Sequence, residues 1–198
     1  MRKTKITIII VSAVFVALIF SFLISVVVLT PKADKIESES VAESCFVSNT
    51  SYIDYQEGND CSAYAAAYVL RSLGEDIGGK DLYPQMKRTF GMMTARSVVT
   101  AVGKQGHSAK AYYGNIDTLI QRLSDGVPII CLVNNGKDTH YVVVVGYDND
   151  YIYLVDSIEE NTNVSDVNLY NRKVTIGDFE KLWINNFYLV NNVYIVVE

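Results

Sequence analysis

Two histidines and three cysteines are all that this 198-residue chain offers as soft metal ligands, and they stand far apart at His107, His140, Cys45, Cys61 and Cys131. No pair has the spacing of a zinc site, so no metal is expected. Three cysteines are also too few for a disulfide framework. The three prolines, Pro31, Pro84 and Pro128, are too dispersed for a Pro-rich spacer. No glycine-rich loop follows a strand pattern, which argues against a nucleotide site. No organic cofactor is implied. Positive charge is in the minority, with 17 Lys and Arg against 22 Asp and Glu and a formal net charge of −5. Arg2, Lys3 and Lys5 precede the first apolar run, so the remainder carries −8. An acidic remainder without a Lys/Arg cluster is a poor candidate for binding nucleic acid.

One long apolar run is present. Residues 6–29 carry no charge over 24 positions, and roughly 20 apolar residues span a bilayer as a helix. The basic flank, residues 1–5, is expected to stay cytoplasmic, which places the rest of the chain outside the membrane. The expected organisation is a basic flank at 1–5, a single-pass transmembrane signal anchor at 6–29, an exposed linker at 30–48 and one folded domain at 49–198. About 150 residues is the usual size of one domain, large enough to bury a core. A cleaved signal peptide, and so a secreted protein, is the alternative. The run is longer than a signal core, and Thr30-Pro31-Lys32-Ala33 makes a poor cleavage site.

Periodicity and punctuation give a coarse map of the domain. Asn59 or Asp60 is expected to cap a helix over 61–73, with Gly74 stopping it. Helices follow at 81–90, 94–104 and 115–123, and a short one at 178–183. Strands are expected at 108–113, 129–133, 140–147, 151–156, 173–176 and 188–197. Helices early and strands late argue for an α+β fold, a helical N-terminal half followed by an antiparallel sheet.

Three residues on this map can do chemistry together. Cys61 stands where a helix starts, and unpaired N–H groups of a first helical turn favour a thiolate. His140 opens a strand, and Asp156 ends the next. Taken singly, each has a plain structural role: a buried thiol, a strand-end imidazole, a turn carboxylate. Their spacing joins them. With the three-residue loop Asp148-Asn149-Asp150, Tyr147 would face Tyr151, and His140 and Asp156 would share one face two residues out of register. Such diagonal neighbours lie about 7–8 Å apart at Cα, within side-chain reach. A two-residue loop would put them on opposite faces. Gln56, five residues before Cys61, carries an amide that could donate to an oxyanion beside the Cys61 N–H. Cys131, within Ile129-Ile130-Cys131-Leu132-Val133, is expected in the core. Cys45 falls in the linker, and His107 has no evident partner.

Gln56, Asp60-Cys61-Ser62-Ala63-Tyr64-Ala65-Ala66, His140-Tyr141-Val142-Val143-Val144-Val145-Gly146-Tyr147-Asp148 and Leu154-Val155-Asp156-Ser157 resemble the bacteriocin-processing (double-glycine leader) cysteine peptidases, family 39, of the papain-like superfamily. Gly126-Val127-Pro128-Ile129-Ile130 and Phe179-Glu180-Lys181-Leu182-Trp183 extend the resemblance over roughly 52–197. It implies a papain-like fold with Cys61 as nucleophile, His140 as general base, Asp156 as its orienter and Gln56 in the oxyanion hole, acting on a peptide or protein substrate. Ser62 stands where the family usually has Gly, and Gln56 is one residue nearer the cysteine than is common. Family members that process leaders are commonly fused to a transporter, so export machinery enters as a candidate partner. The expected function is a membrane-anchored extracytoplasmic cysteine peptidase. The alternatives are a cell-wall amidase or transglutaminase-like acyl transferase using the same triad, and a non-catalytic surface binding module.

Overall fold

The computed structural model describes residues 2–36, 40–89, 91–136, 138–185 and 188–198, without the side chains of residues 2–9 and 26–29. The chain divides into two units, 1–30 and 31–198. The first is a single helix, α1 (Arg2–Leu29). Its described side chains, from Ile10 to Ser25, include Phe15, Leu18, Phe20 and Phe22, all exposed. Among the described residues no helix is long and apolar enough to cross a membrane. The stretch 10–25 alone falls short of the roughly 20 residues a span needs. The ends of the span expected over 6–29 have side chains outside the described residues.

The second unit is an α+β domain. Its helices are α2 (Cys61–Ser72), α3 (Gly79–Leu82), α4 (Ala95–Lys104), α5 (Ile116–Leu123) and α6 (Ile176–Leu182). Its strands are β1 (Lys32–Ala33), β2 (Cys45–Phe46), β3 (Ala109–Tyr113), β4 (Ile129–Asn134), β5 (Thr139–Tyr147), β6 (Tyr151–Val155), β7 (Arg172–Thr175) and β8 (Val193–Val197). They form one sheet in the order β1-β3-β8-β4-β5-β6-β7, with β2 beside the far end of β5. Only the β1–β3 pair is parallel among the described strands. Beyond its first residue β5 is buried throughout, which is why its sequence is a valine run rather than an alternation. α2 buries Ser62 to Leu70. Trp183 is fully buried after α6 and donates its indole N–H to the Val193 carbonyl at 3.0 Å.

Most expected elements are present within a few residues, and their caps explain the boundaries. Thr94 and Asn115 accept hydrogen bonds from Ser97 and Thr118 and start α4 and α5 with reciprocal capping boxes. The helix expected over 81–90 is reduced to α3 and a 3₁₀ turn, Tyr83–Gln85. Pro84 has no N–H to continue an α-ladder, and Met86 leaves in an extended conformation. The closing strand is confined to Val193–Val197.

Residues 30–48, expected as an exposed linker, contribute two strands. β1 joins the sheet edge beside β3. Just beyond it, Asp34 accepts two bonds from Arg122, at 2.8 and 2.9 Å, and one from Tyr194 at 2.6 Å. β2 lies against the end of β5, where Gly146 pairs with Phe46. A Cβ on Gly146 would sit 2.5 Å from the Phe46 ring and 2.9 Å from the Cys45 carbonyl oxygen. Glycine is what permits this close approach.

The β5–β6 hairpin differs from the expected one in an instructive way. Tyr147 pairs with Ile152, not Tyr151, and four residues lie between them. Continued along the strands, that register would send His140 and Asp156 to opposite faces. Between Val144 and Gly146 the register shifts by one, and Val143 pairs with Val155. The extra residue, Val145, is a β-bulge that restores the parity the pair requires. Its carbonyl is not left idle, because it accepts the Val47 N–H at 3.0 Å.

Candidate active site

α2 begins at Cys61, and Asp60 occupies the N-cap position. The side-chain cap expected from Asn59 or Asp60 does not form. The Asp60 carbonyl instead receives the N–H groups of Ala63 and Tyr64. The first turn therefore keeps its positive end without a capping oxygen, and Cys61 sits there, partly exposed.

His140 lies near the start of β5, 2% exposed, and Asp156 directly after β6, fully buried. His140 Nε2 and Asp156 Oδ1 are 2.7 Å apart. Since Nε2 faces the carboxylate, Nδ1 is the ring nitrogen left for the Cys61 thiol. Burial acts to lower the imidazole pKa. The bonds to Asp156 and to Cys61 outweigh it and push the pKa up to about 9. Burial likewise acts to raise the Asp156 carboxyl, but the bonds from His140, the Ile158 N–H and the Asn161 amide hold it below its ordinary range. The two shifts agree: the structure favours an imidazolium beside a carboxylate.

Several residues that build this pair were not singled out in the sequence. Arg172 donates to Asp156 Oδ2 at 2.8 Å, and Asn161 to the same oxygen at 2.9 Å. The fully buried Asn171 grips the Asp156 backbone twice. Its Oδ1 accepts the Asp156 N–H at 2.8 Å, and its Nδ2 donates to the Asp156 carbonyl at 2.7 Å. Arg172 opens β7, and nothing in its local pattern marks it as the second cation of the site. Asn171 looks like an ordinary turn residue. Only the folded sheet reveals these contacts.

Gln56 borders the same cleft as Cys61 and His140. Its side-chain Nε2 donates to the Gly58 carbonyl. That carbonyl can only accept, so it determines which end of the amide is nitrogen. Gln56 Oε1 accepts the Ser157 hydroxyl at 2.6 Å, and the Gln56 N–H donates to the Ser157 carbonyl at 2.8 Å. The loop before the cysteine is thus clamped to the residue that follows Asp156. The cleft has a volume of about 360 Å³.

The other candidates fall elsewhere. Cys131 is fully buried in β4, and burial pushes its pKa well up. Cys45 is a partly exposed free thiol in β2. His107 has a partner after all, with its Nε2 3.0 Å from Glu75 Oε1. Among the described residues no group of His, Cys, Asp and Glu is arranged to hold a metal.

The family model described as the Peptidase_C39 like family matches residues 47–188, and the chain belongs to that family. No curated protein matches it. Its fold is similar to that of the peptidase domain of Streptococcus ComA, a bifunctional ABC transporter of a quorum-sensing pathway. That likeness has a TM-score of 0.59 at 21% identity and covers 73% of this chain and 96% of that one. A C39-like peptidase from Bacillus anthracis gives 0.61 at 18% identity over 79% and 98% of the two chains. A double-glycine-motif protease of an AMS/PCAT transporter, solved with a leader peptide, gives 0.54 at 18% over 75% and 90%. At these identities the likeness concerns the fold.

Proposed function

We propose that the chain is a membrane-anchored cysteine peptidase whose domain faces outward and hydrolyses peptide bonds with Cys61, His140 and Asp156. The observation that carries this reading is the buried 2.7 Å His140–Asp156 bond together with a cysteine at the open end of a helix, Cys61 and His140 lining one cleft. The Cys61 thiolate attacks the substrate carbonyl and forms a C–S bond. The oxyanion is met by the Cys61 N–H and the second N–H of the Gln56 amide. As the C–N bond breaks, His140 gives its proton to the departing amine. Water, deprotonated by the now neutral imidazole, hydrolyses the thioester. The acid leaves, and the Cys61 thiolate is restored beside the reprotonated imidazole. Asp156 holds the ring orientation throughout. Preceding the domain, the 28-residue α1 with its exposed apolar side chains serves as the anchor, and the basic residues at its start, Arg2, Lys3 and Lys5, hold that end on the cytoplasmic side. A peptide emerging from an export system fits the family and this placement.

The test is hydrolysis of an unstructured peptide mixture by the full chain in detergent micelles, read by mass spectrometry. New peptide termini that disappear after treatment with iodoacetamide support the reading. A digest that leaves every peptide intact overturns it.

The Ser157 clamp gives a narrower expectation. Ser157→Ala removes the hydroxyl that fixes Gln56 Oε1, so kcat should fall about tenfold with KM little changed, while Ser157→Thr retains most activity. Equal loss in both variants would show that packing, not the hydroxyl, matters at this position.

A further inference from the structure

The segment after α3 contributes Tyr83, Arg88 and Met92 to the lining of the cleft. Thr89 and Met92 exchange backbone hydrogen bonds at 2.8 and 3.1 Å, and Gly91 takes a positive φ of 79° between them. This tight turn brings Arg88 and Met92 to the cleft. Among the described residues that line the cleft, Arg88 is the only Lys or Arg, and the other positive charge is the His140 imidazolium, already paired with Asp156. It is exposed and has no carboxylate partner among the described residues, although acidic groups outnumber basic ones in the chain. Its orientation nevertheless has a support. Arg88 Nη2 donates to the Tyr83 hydroxyl at 2.5 Å, and Tyr83 donates onward to the Asn59 carbonyl at 3.4 Å. Asn59 is two residues from Cys61. A neutral phenol therefore ties the guanidinium to the loop of the nucleophile without neutralising it. Among the described residues one N–H is engaged, and the rest of the planar fork can take a two-point acceptor.

We propose that Arg88 is a specificity-determining residue that reads a carboxylate of the substrate close to the scissile bond. This rests on the peptidase reading above. A guanidinium matches a carboxylate in a bidentate geometry that a peptide carbonyl cannot reproduce. Asp138, which also lines the cleft, repels a carboxylate from its own neighbourhood and leaves that of Arg88 as the favourable one. Two sources share this chemistry: an Asp or Glu side chain, and the free C-terminus of a short substrate.

The experiment is a digest of a random-sequence peptide mixture by the full chain in micelles, with cut sites mapped relative to the new termini. A second digest uses the same peptides amidated at their C-termini. Enrichment is a ratio within one digest, so it does not depend on overall rate. The expected result is a roughly five- to tenfold enrichment of Asp and Glu over Asn and Gln at one fixed position. Arg88→Gln should flatten it, Arg88→Lys should keep part of it, and Arg88→Glu should shift it towards Lys and Arg. If the source is the C-terminus, cuts cluster near free ends and vanish from the amidated digest, with the same response to the Arg88 variants. Efficient cutting with no acidic preference at any position and no dependence on free ends overturns the Arg88 proposal and leaves the peptidase reading intact. A preference that survives Arg88→Gln also overturns it. Absence of all cutting by the wild-type chain overturns the peptidase reading, and this one with it.

Discussion

Cys61→Ala is expected to abolish peptide hydrolysis, and His140→Ala to come close, with kcat/KM down by at least about 10³-fold. In the proposed mechanism the nucleophile and its proton carrier act as one unit. Without the His140 ring, the sulfur at the α2 terminus loses its hydrogen-bond partner and its path for the proton. Iodoacetamide reads this without any knowledge of the substrate. In the wild-type chain one thiol should react rapidly at mildly acidic pH, where Cys45 and the buried Cys131 are slow. His140→Ala should abolish that excess. The pH dependence arises from the same pair. The His140 pKa is raised from the ordinary 6.5 to about 9, so the imidazolium that protonates the leaving amine is lost as pH rises through about 9. Hydrolysis should then fall on the alkaline side with a midpoint there. Stability has the same sign. A raised histidine contributes fully below 6.5, and its contribution disappears between 6.5 and about 9. The lowered Asp156 contributes above the ordinary carboxyl value of 3.8 and loses its contribution as pH falls through its depressed folded value. Thermal unfolding across pH should show both flanks, and His140→Ala should remove the alkaline one. Equal alkylation rates for all three cysteines would sink this account.

Asp156→Ala is expected to damage both chemistry and fold. The carboxylate is fully buried between His140 and Arg172, with Asn161 and the Ile158 N–H also bonded to it. Removing it leaves a buried imidazole without its acceptor and a partly buried guanidinium without its anion. Breaking such a pair costs about 3–5 kcal/mol, visible as a lowered denaturation midpoint. Turnover should fall by roughly 10²–10⁴-fold, because the ring is no longer held for the thiol. Asp156→Asn separates orientation from charge. The amide oxygen still accepts from His140 Nε2, so hydrolysis should fall far less than in Asp156→Ala. The charge that raises the imidazole is gone, so the alkaline midpoint should move below about 9. If Asn and Ala behave alike in turnover and in pH profile, Asp156 is a structural anchor and not the orienter.

The helix and strand periods were legible because burial imposes them locally. α2, α4 and α5 carry their own caps or apolar faces, and β4 and β5 their apolar runs. Pro84 was equally visible, yet the apolar spacing around it suggested a longer helix than its missing N–H permits. The segment after the apolar run looked like a linker because it is charged. Charge does not prevent a two-residue strand from joining a sheet edge, or Asp34 from finding Arg122, 88 positions away. The pairing of His140 with Asp156 was anticipated from parity, but through the wrong device. A three-residue loop was expected, whereas a four-residue connection and a bulge at Val145 give the same parity.

Residue types and their periods thus determined the α+β class and the core strands, and they singled out Cys61, His140 and Asp156 as candidates, since these depend on chemistry carried by the residues themselves. The tertiary structure alone decided what surrounds those positions. Asn171 on the Asp156 backbone, Arg172 on its carboxylate and Ser157 on Gln56 are contacts between separate segments of the chain. A hydrogen bond between such segments leaves no periodic trace in the sequence, because only the closed sheet brings its two ends together.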